Sequence, residues 1–158
     1  TPFAIVVYDI EKLEFGDTYF IGSGSSAIKI NKTTIFNGNI IAATEDGLFT
    51  ADASNKALID FNNWKQDFSG RNFTEINQFN NELLVVEMTK LFKINGQTIT
   101  EVRDFFQGIK AINPSTSNLS VALNNSVFIL DLNLNDVIQF SITTGFNYSL
   151  NTAFFDKM

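Results

Sequence analysis

Three aspartates occupy one position of a phrase that the chain writes four times. Ala4-Ile-Val-Val-Tyr-Asp9, Gly47-Leu-Phe-Thr-Ala-Asp52, Lys90-Leu-Phe-Lys-Ile-Asn95 and Ser126-Val-Phe-Ile-Leu-Asp131 each run through a short apolar stretch and close on Asp or Asn. Carboxylates that recur this way would, if brought together, hold a divalent cation or divide acid and base roles between them. The fourth copy argues for a different role. Asn95 keeps the turn-forming capacity of Asp and lacks its charge, and Asx side chains cap turns by accepting nearby backbone N–H groups. The aspartates therefore read as turn caps.

The other groups capable of chemistry read in the same direction. Asp131-Leu-Asn133-Leu-Asn135-Asp136 opens like a calcium loop, but such a loop needs Gly sixth and Glu twelfth, where Asp136 and Ile142 stand. Gly22-Ser23-Gly24-Ser25-Ser26 has no following Lys and no helix to offer a phosphate, and reads as a connection between repeat units. Glu45-Asp46 falls in a turn open to solvent or to a partner. Trp64, the one tryptophan, reads with Phe61 as packing between units. Asn72-Phe73-Thr74 has the spacing of a glycosylation acceptor and carries no weight on its own. No catalytic residue, metal site or cofactor is expected.

Composition narrows the classes further. The 158 residues contain no His and no Cys, which removes Cys/His zinc sites, Ser–His–Asp and Cys–His nucleophiles, and disulfides. Net charge is −6 and the 11 basic residues are scattered, so there is no basic groove for a nucleic acid. Apolar runs are too short to span a membrane, and no signal peptide opens the chain. Because the sequence starts and stops within a repeat, it reads as an internal piece of a larger protein.

The elements that position these residues follow from the spacing. The four phrases stand 43, 43 and 36 residues apart, the period of a stacked-repeat fold. Between them lie strand and hairpin signals. In the stretch 33–66, Thr33–Phe36 leads to the Asn37-Gly38 hairpin dipeptide, then to the apolar Asn39–Thr44, the phrase itself, and a fourth strand from Leu58 to about Gln66. Residues 73–104 and 108–142 repeat the order. Residues 3–22 supply only a third and fourth strand, and Tyr148 to Phe155 only a first. Four-stranded antiparallel units of this period are β-propeller blades. The expectation is all-β, one partial propeller domain over 1–158. It holds about three full blades (32–66, 73–104, 108–142) and partial blades at 3–22 and 148–155.

Longer stretches resemble a known family. Ala4–Glu14 with Asp17–Gly22, then Ile41–Phe49 with Asp60-Phe-Asn-Asn-Trp64, and later Phe146–Phe154, resemble successive blades of the PorZ family of the type IX secretion system of Bacteroidetes. The resemblance implies a non-enzymatic scaffold at the cell surface beside the sortase that attaches cargo, with protein partners in that complex and a surface glycan as a further ligand class. It places the chain in the first of two propellers, outside the cytoplasm. Ala43-Thr-Glu-Asp-Gly-Leu-Phe49 is also similar to propeller repeats of hybrid two-component sensors, which makes glycan sensing the alternative. Unpaired blade edges would let copies of the fragment associate.

Overall fold

The computed structural model describes residues 3–141. The strand expected over 148–155, the likeness of Phe146–Phe154 and Ile142 lie outside the described residues. Two compact units divide the chain, Thr1–Thr74 and Glu75–Met158.

The first unit opens with a two-stranded antiparallel sheet of β1 (Ile5–Asp9) and β2 (Glu14–Tyr19). A one-turn 3-10 helix, Ser23–Ser25, leads to a four-stranded meander of β3 (Ile30–Phe36), β4 (Asn39–Thr44), β5 (Gly47–Asp52) and β6 (Lys65–Asp67). The second unit holds two such meanders. One is β7 (Glu75–Phe79), β8 (Glu82–Glu87), β9 (Lys90–Asn95) and β10 (Thr98–Asp104). The other is β11 (Ala111–Pro114), β12 (Leu119–Ala122), β13 (Ser126–Leu130) and β14 (Asp136–Ser141). These are β-propeller blades, and in each the recurring phrase is the third strand.

Turn chemistry fixes the registers. Asn37 and Gly38, both at positive φ (49° and 74°), join β3 to β4 so that Phe36 faces Asn39. Asn80 and Asn81 do the same between β7 and β8 without a glycine, because Asn tolerates the left-handed region. The second strands carry the core. In β4, β8 and β12 the residues Ala42, Leu84, Val85 and Val121 are completely buried, as expected for runs apolar on both faces.

Each unit has its own core. In the first, Tyr19, Ile21, Phe49, Leu58 and Trp64 pack together with Ala42 and Ala51. In the second, Phe79, Leu84, Leu91, Ile112, Leu119, Val121, Phe128 and Leu130 belong to one cluster.

The fourth strand of the first whole blade differs from the sequence expectation. It was expected from Leu58, and it spans only Lys65–Asp67. Local side chains divert the backbone before it. Asp52 accepts from the Ser54 N–H (2.8 Å), Asn55 from Ala57 (2.8 Å) and Asp60 from Asn62 (3.0 Å), three successive turns that compete with a ladder. Leu58 leaves the strand path to fill the core. Within the expected blades 73–104 and 108–142 the first strands start slightly later, at Glu75 and Ala111. Phe73 and Ile109 are both buried just before their strands.

Candidate binding surface

The recurring carboxylates are used up by their own loops. Asp9 accepts from the backbone N–H groups of Glu11 and Lys12, both at 3.0 Å. Asp52 accepts from the Ser54 hydroxyl (2.7 Å) and N–H (2.8 Å), and Asp131 from the N–H groups of Asn133 (2.8 Å) and Asn135 (2.9 Å). These donors hold all three carboxyls below the ordinary carboxylate range, led by the Lys12 N–H at Asp9, the Ser54 hydroxyl at Asp52 and the Asn135 N–H at Asp131. Among the described residues no group of three or more acidic side chains gathers as a metal site would require. The arrangement caps turns and offers no proton donor at neutral pH.

Glu45 and Asp46 fasten the blade connections. The Glu45 carboxylate accepts from the Lys29 N–H (3.1 Å), and the Glu45 N–H donates to the Lys29 carbonyl (3.0 Å). Asp46 accepts from the Gly70 N–H (2.5 Å), the Ser69 hydroxyl (3.0 Å) and the Gln66 amide (3.0 Å), and these donors, Gly70 first, lower its pKa. One turn thus ties both the incoming and the outgoing connection of its blade. Gly47 makes the turn possible. It sits at φ +87°, and a Cβ there would run into the Asp67 and Phe68 carbonyls. Beneath it the buried Thr44 hydroxyl donates to the Gly47 carbonyl (2.9 Å) and accepts from the Asp46 N–H (3.0 Å).

Beside this turn lies an open cleft of about 250 Å³, lined among others by Ile21, Ser23, Phe49, Phe61, Trp64 and Gln66. Segments roughly forty residues apart build it: the 3-10 turn after β2, and the loop that replaced the expected fourth strand. Trp64 is buried, donates its indole N–H to the Leu58 carbonyl (2.9 Å) and lies 6.1 Å from the Tyr19 ring. It is core packing between the two sheets of the first unit, as its sequence context suggested, whereas half-buried Phe61 faces the cleft. Every lining side chain is neutral. The cleft can offer aromatic surface, amides and a hydroxyl, and its size is that of a site for one side chain or one small ring.

The second unit carries a contrasting turn. Met88, between β8 and β9, and Phe106, after β10, are 77% and 86% exposed, and both have left-handed backbone (φ 55° and 56°). The Ile109 N–H donates to the Met88 carbonyl (3.0 Å) and the Phe105 N–H to the Thr89 carbonyl (2.9 Å), which ties this turn to its connection through the backbone. Nothing in the sequence pattern marked either residue. Below them Arg103 lies over the rings of Phe105 (4.6 Å) and Phe128 (4.7 Å) and pairs with Asp136. Lys90 bridges Glu101 (2.6 Å) and Asp104 (3.8 Å).

Comparison with known proteins agrees with the blade pattern. Residues 1–65 match the family described as "TSS9, PorZ, N-terminal beta-propeller domain". Among solved structures, PorZ of Porphyromonas gingivalis, described as an essential bacterial surface component of the type IX secretion system, superposes with a TM-score of 0.68 at 14% identity. The match covers 89% of this chain and 19% of that one. BBS1N, solved in complex with ARL6DN, gives 0.66 at 11% identity over 92% of this chain and 49% of that one. The Pan2 WD40 domain of Neurospora crassa gives 0.61 at 12% over 89% and 44%. These identities speak for the fold alone, and the chain spans about a fifth of the length of the PorZ structure. No curated protein matches the chain in sequence.

Proposed function

We propose that this chain, whose residues 1–65 match the family described as "TSS9, PorZ, N-terminal beta-propeller domain", is a non-enzymatic binding scaffold at the cell surface. Its work is to hold a protein partner of the secretion and attachment machinery against a rigid face of turns and connections. The observation that carries this reading is the fate of the carboxylates. Asp9, Asp46, Asp52 and Asp131 all hydrogen-bond to neighbouring loop donors, and the cleft beside Asp46 is lined by neutral groups alone. A surface that spends its acids on rigidity suits recognition rather than proton transfer. The surface location rests on what the P. gingivalis relative is described as being. Among the described residues no helix is long and apolar enough to cross a membrane.

The neutral aromatic cleft also suits an uncharged sugar ring, so a surface glycan is the second ligand class. The test is to delete the gene in its source cell and restore it with the wild-type sequence or with Phe61→Ala. Deletion should release cargo that is normally attached to the surface, and wild-type protein recovered with its complex should bring down outer-membrane components of the secretion machinery. Phe61→Ala should fold normally and recover less of them. Normal cargo attachment in the deletion strain, or recovery of a histidine kinase alone, would contradict the proposal.

A further inference from the structure

The cleft beside Asp46 has a fixed polarity. Two of its lining amides, Gln66 and Asn62, have their nitrogens engaged by acidic residues. Gln66 Nε2 donates to the Asp46 carbonyl (2.8 Å) and carboxylate (3.0 Å), and Asn62 Nδ2 donates to the Asp60 carboxylate (2.8 Å). The acids that hold the amides are held in turn, Asp46 by Gly70 and Ser69 and Asp60 by the Asn62 N–H. An amide held by its nitrogen has its oxygen left to offer, and among the described residues no donor meets either oxygen. The Trp64 indole N–H is likewise committed, to the Leu58 carbonyl. The lining therefore presents acceptors beside the aromatic surface of Phe61, Phe49 and Trp64, with two negative charges behind them.

We infer that this cleft takes the arginine side chain of a protein partner, its guanidinium lying on the Phe61 ring and donating to the oxygens of Gln66 and Asn62. The inference rests on the reading of the chain as a protein-binding scaffold, and names the group that its cleft selects. A guanidinium carries five N–H donors and no acceptor, which suits a lining that has spent most of its donors. Sugar hydroxyls accept as well as donate, and are served less well. Charge points the same way: the chain carries a net −6, and the carboxylates of Asp46 and Asp60 back the two amides. The neighbouring cation, Lys65, is engaged by Asp67 (3.0 Å). The chain already uses this chemistry on a guanidinium of its own. Arg103 lies over the rings of Phe105 and Phe128 and pairs with Asp136.

The experiment titrates the isotope-labelled chain by NMR with acetyl-Gly-Arg-Gly amide, its citrulline counterpart and N-acetylglucosamine. The signals followed are the indole N–H of Trp64, the one tryptophan, and the side-chain amides of Gln66 and Asn62. The arginine peptide should shift them saturably with a Kd on the order of millimolar. The citrulline peptide, which lacks the charge, should bind at least about five-fold more weakly. Gln66→Leu and Gln66→Glu both remove the N–H that Asp46 accepts, but only Glu keeps acceptor oxygens. Gln66→Leu should weaken the arginine peptide by about ten-fold, whereas Gln66→Glu should bind it at least as tightly as wild type. If either variant proves unfolded, Phe61→Ala serves in its place and should weaken the arginine peptide by about five-fold. No saturable shift, citrulline or sugar binding as tight as arginine, equal loss in both Gln66 variants, or binding indifferent to Phe61→Ala overturns the inference. Cargo attachment in the deletion strain judges the scaffold reading separately. Lost attachment there without arginine binding here sinks the inference alone, and arginine binding with normal attachment sinks the scaffold reading alone.

Discussion

β13 and β1 are built on one pattern, yet β13 is buried from Ser126 to Leu130 and β1 shows solvent most of its length. Their own residues do not explain this: Ser-Val-Phe-Ile-Leu and Ile-Val-Val-Tyr-Asp have similar β propensity and comparable apolar content. β13 lies between β12 and β14, whereas among the described residues β1 has β2 on one side only. In a propeller the unit of stability is the blade, and a strand's energetic weight is set by how many of its neighbours are in place.

Mutation should expose that difference directly. Phe128→Ala in β13 removes a ring packed 5.2 Å from Phe105 and under the Arg103 guanidinium. It should cost about 3–5 kcal/mol in denaturant unfolding. Val6→Ala, at the equivalent place in β1, should cost less than about 1 kcal/mol. Comparable losses at the two sites would break the comparison.

The turns give the next largest contrast. Gly47→Ala forces a side chain into left-handed backbone and against the Asp67 and Phe68 carbonyls, and should cost more than about 2 kcal/mol. Gly96→Ala, at φ +58° with open space around it, should cost about 1 kcal/mol. A smaller loss, about 1 kcal/mol, is expected for Trp64→Phe, which keeps most of the ring packing but orphans the Leu58 carbonyl.

The smallest effect concerns pH. Hydrogen bonds from Gly70, Ser69 and Gln66 lower the Asp46 pKa from its ordinary 3.8. A depressed folded-state pKa adds stability above the unfolded-state value, and that contribution is lost as pH falls through the folded one. The difference in unfolding midpoint between wild type and Asp46→Asn should therefore be constant above about pH 5 and shrink below about pH 4. Thr89, at the equivalent turn position of the next blade, has no carboxyl of its own, but the Phe106 N–H, helped by the Thr89 hydroxyl, holds the Asp104 carboxyl below its ordinary range, so Thr89→Ala should show a smaller acid limb of the same sign.

Much of the blade architecture was legible because its signals are local. Asn37-Gly38 and Asn80-Asn81 dictate tight hairpins, the doubly apolar Asn39–Thr44 and Leu83–Val86 dictate buried second strands, and Asp9, Asp52 and Asp131 at phrase ends dictate capped turns. The fourth strand at 58–66 was misplaced because three Asx turns in succession outcompeted a weak strand pattern. The cleft was invisible for another reason. Ser23 and Phe61 are brought together by the packing of β2 against the following sheet, and neither residue type announces it. Glu45 and Asp46 were recognised as a turn, but their clasp on Lys29 and Gly70 depends on where two connections pass. Met88 and Phe106 carry no sequence signal, because sequence offers no measure of which side chain the backbone will turn outward.

Amide hydrogen exchange on the intact chain tests most directly whether neighbours, rather than strand sequence, decide the fate of the phrase. Val127 to Leu130 in β13 should exchange only through global opening, while β1 amides not bonded to β2 should exchange orders of magnitude faster, near the rate of local fraying. Equal protection of β1 and β13 would contradict the account, because it would mean that the edge of β1 is already covered.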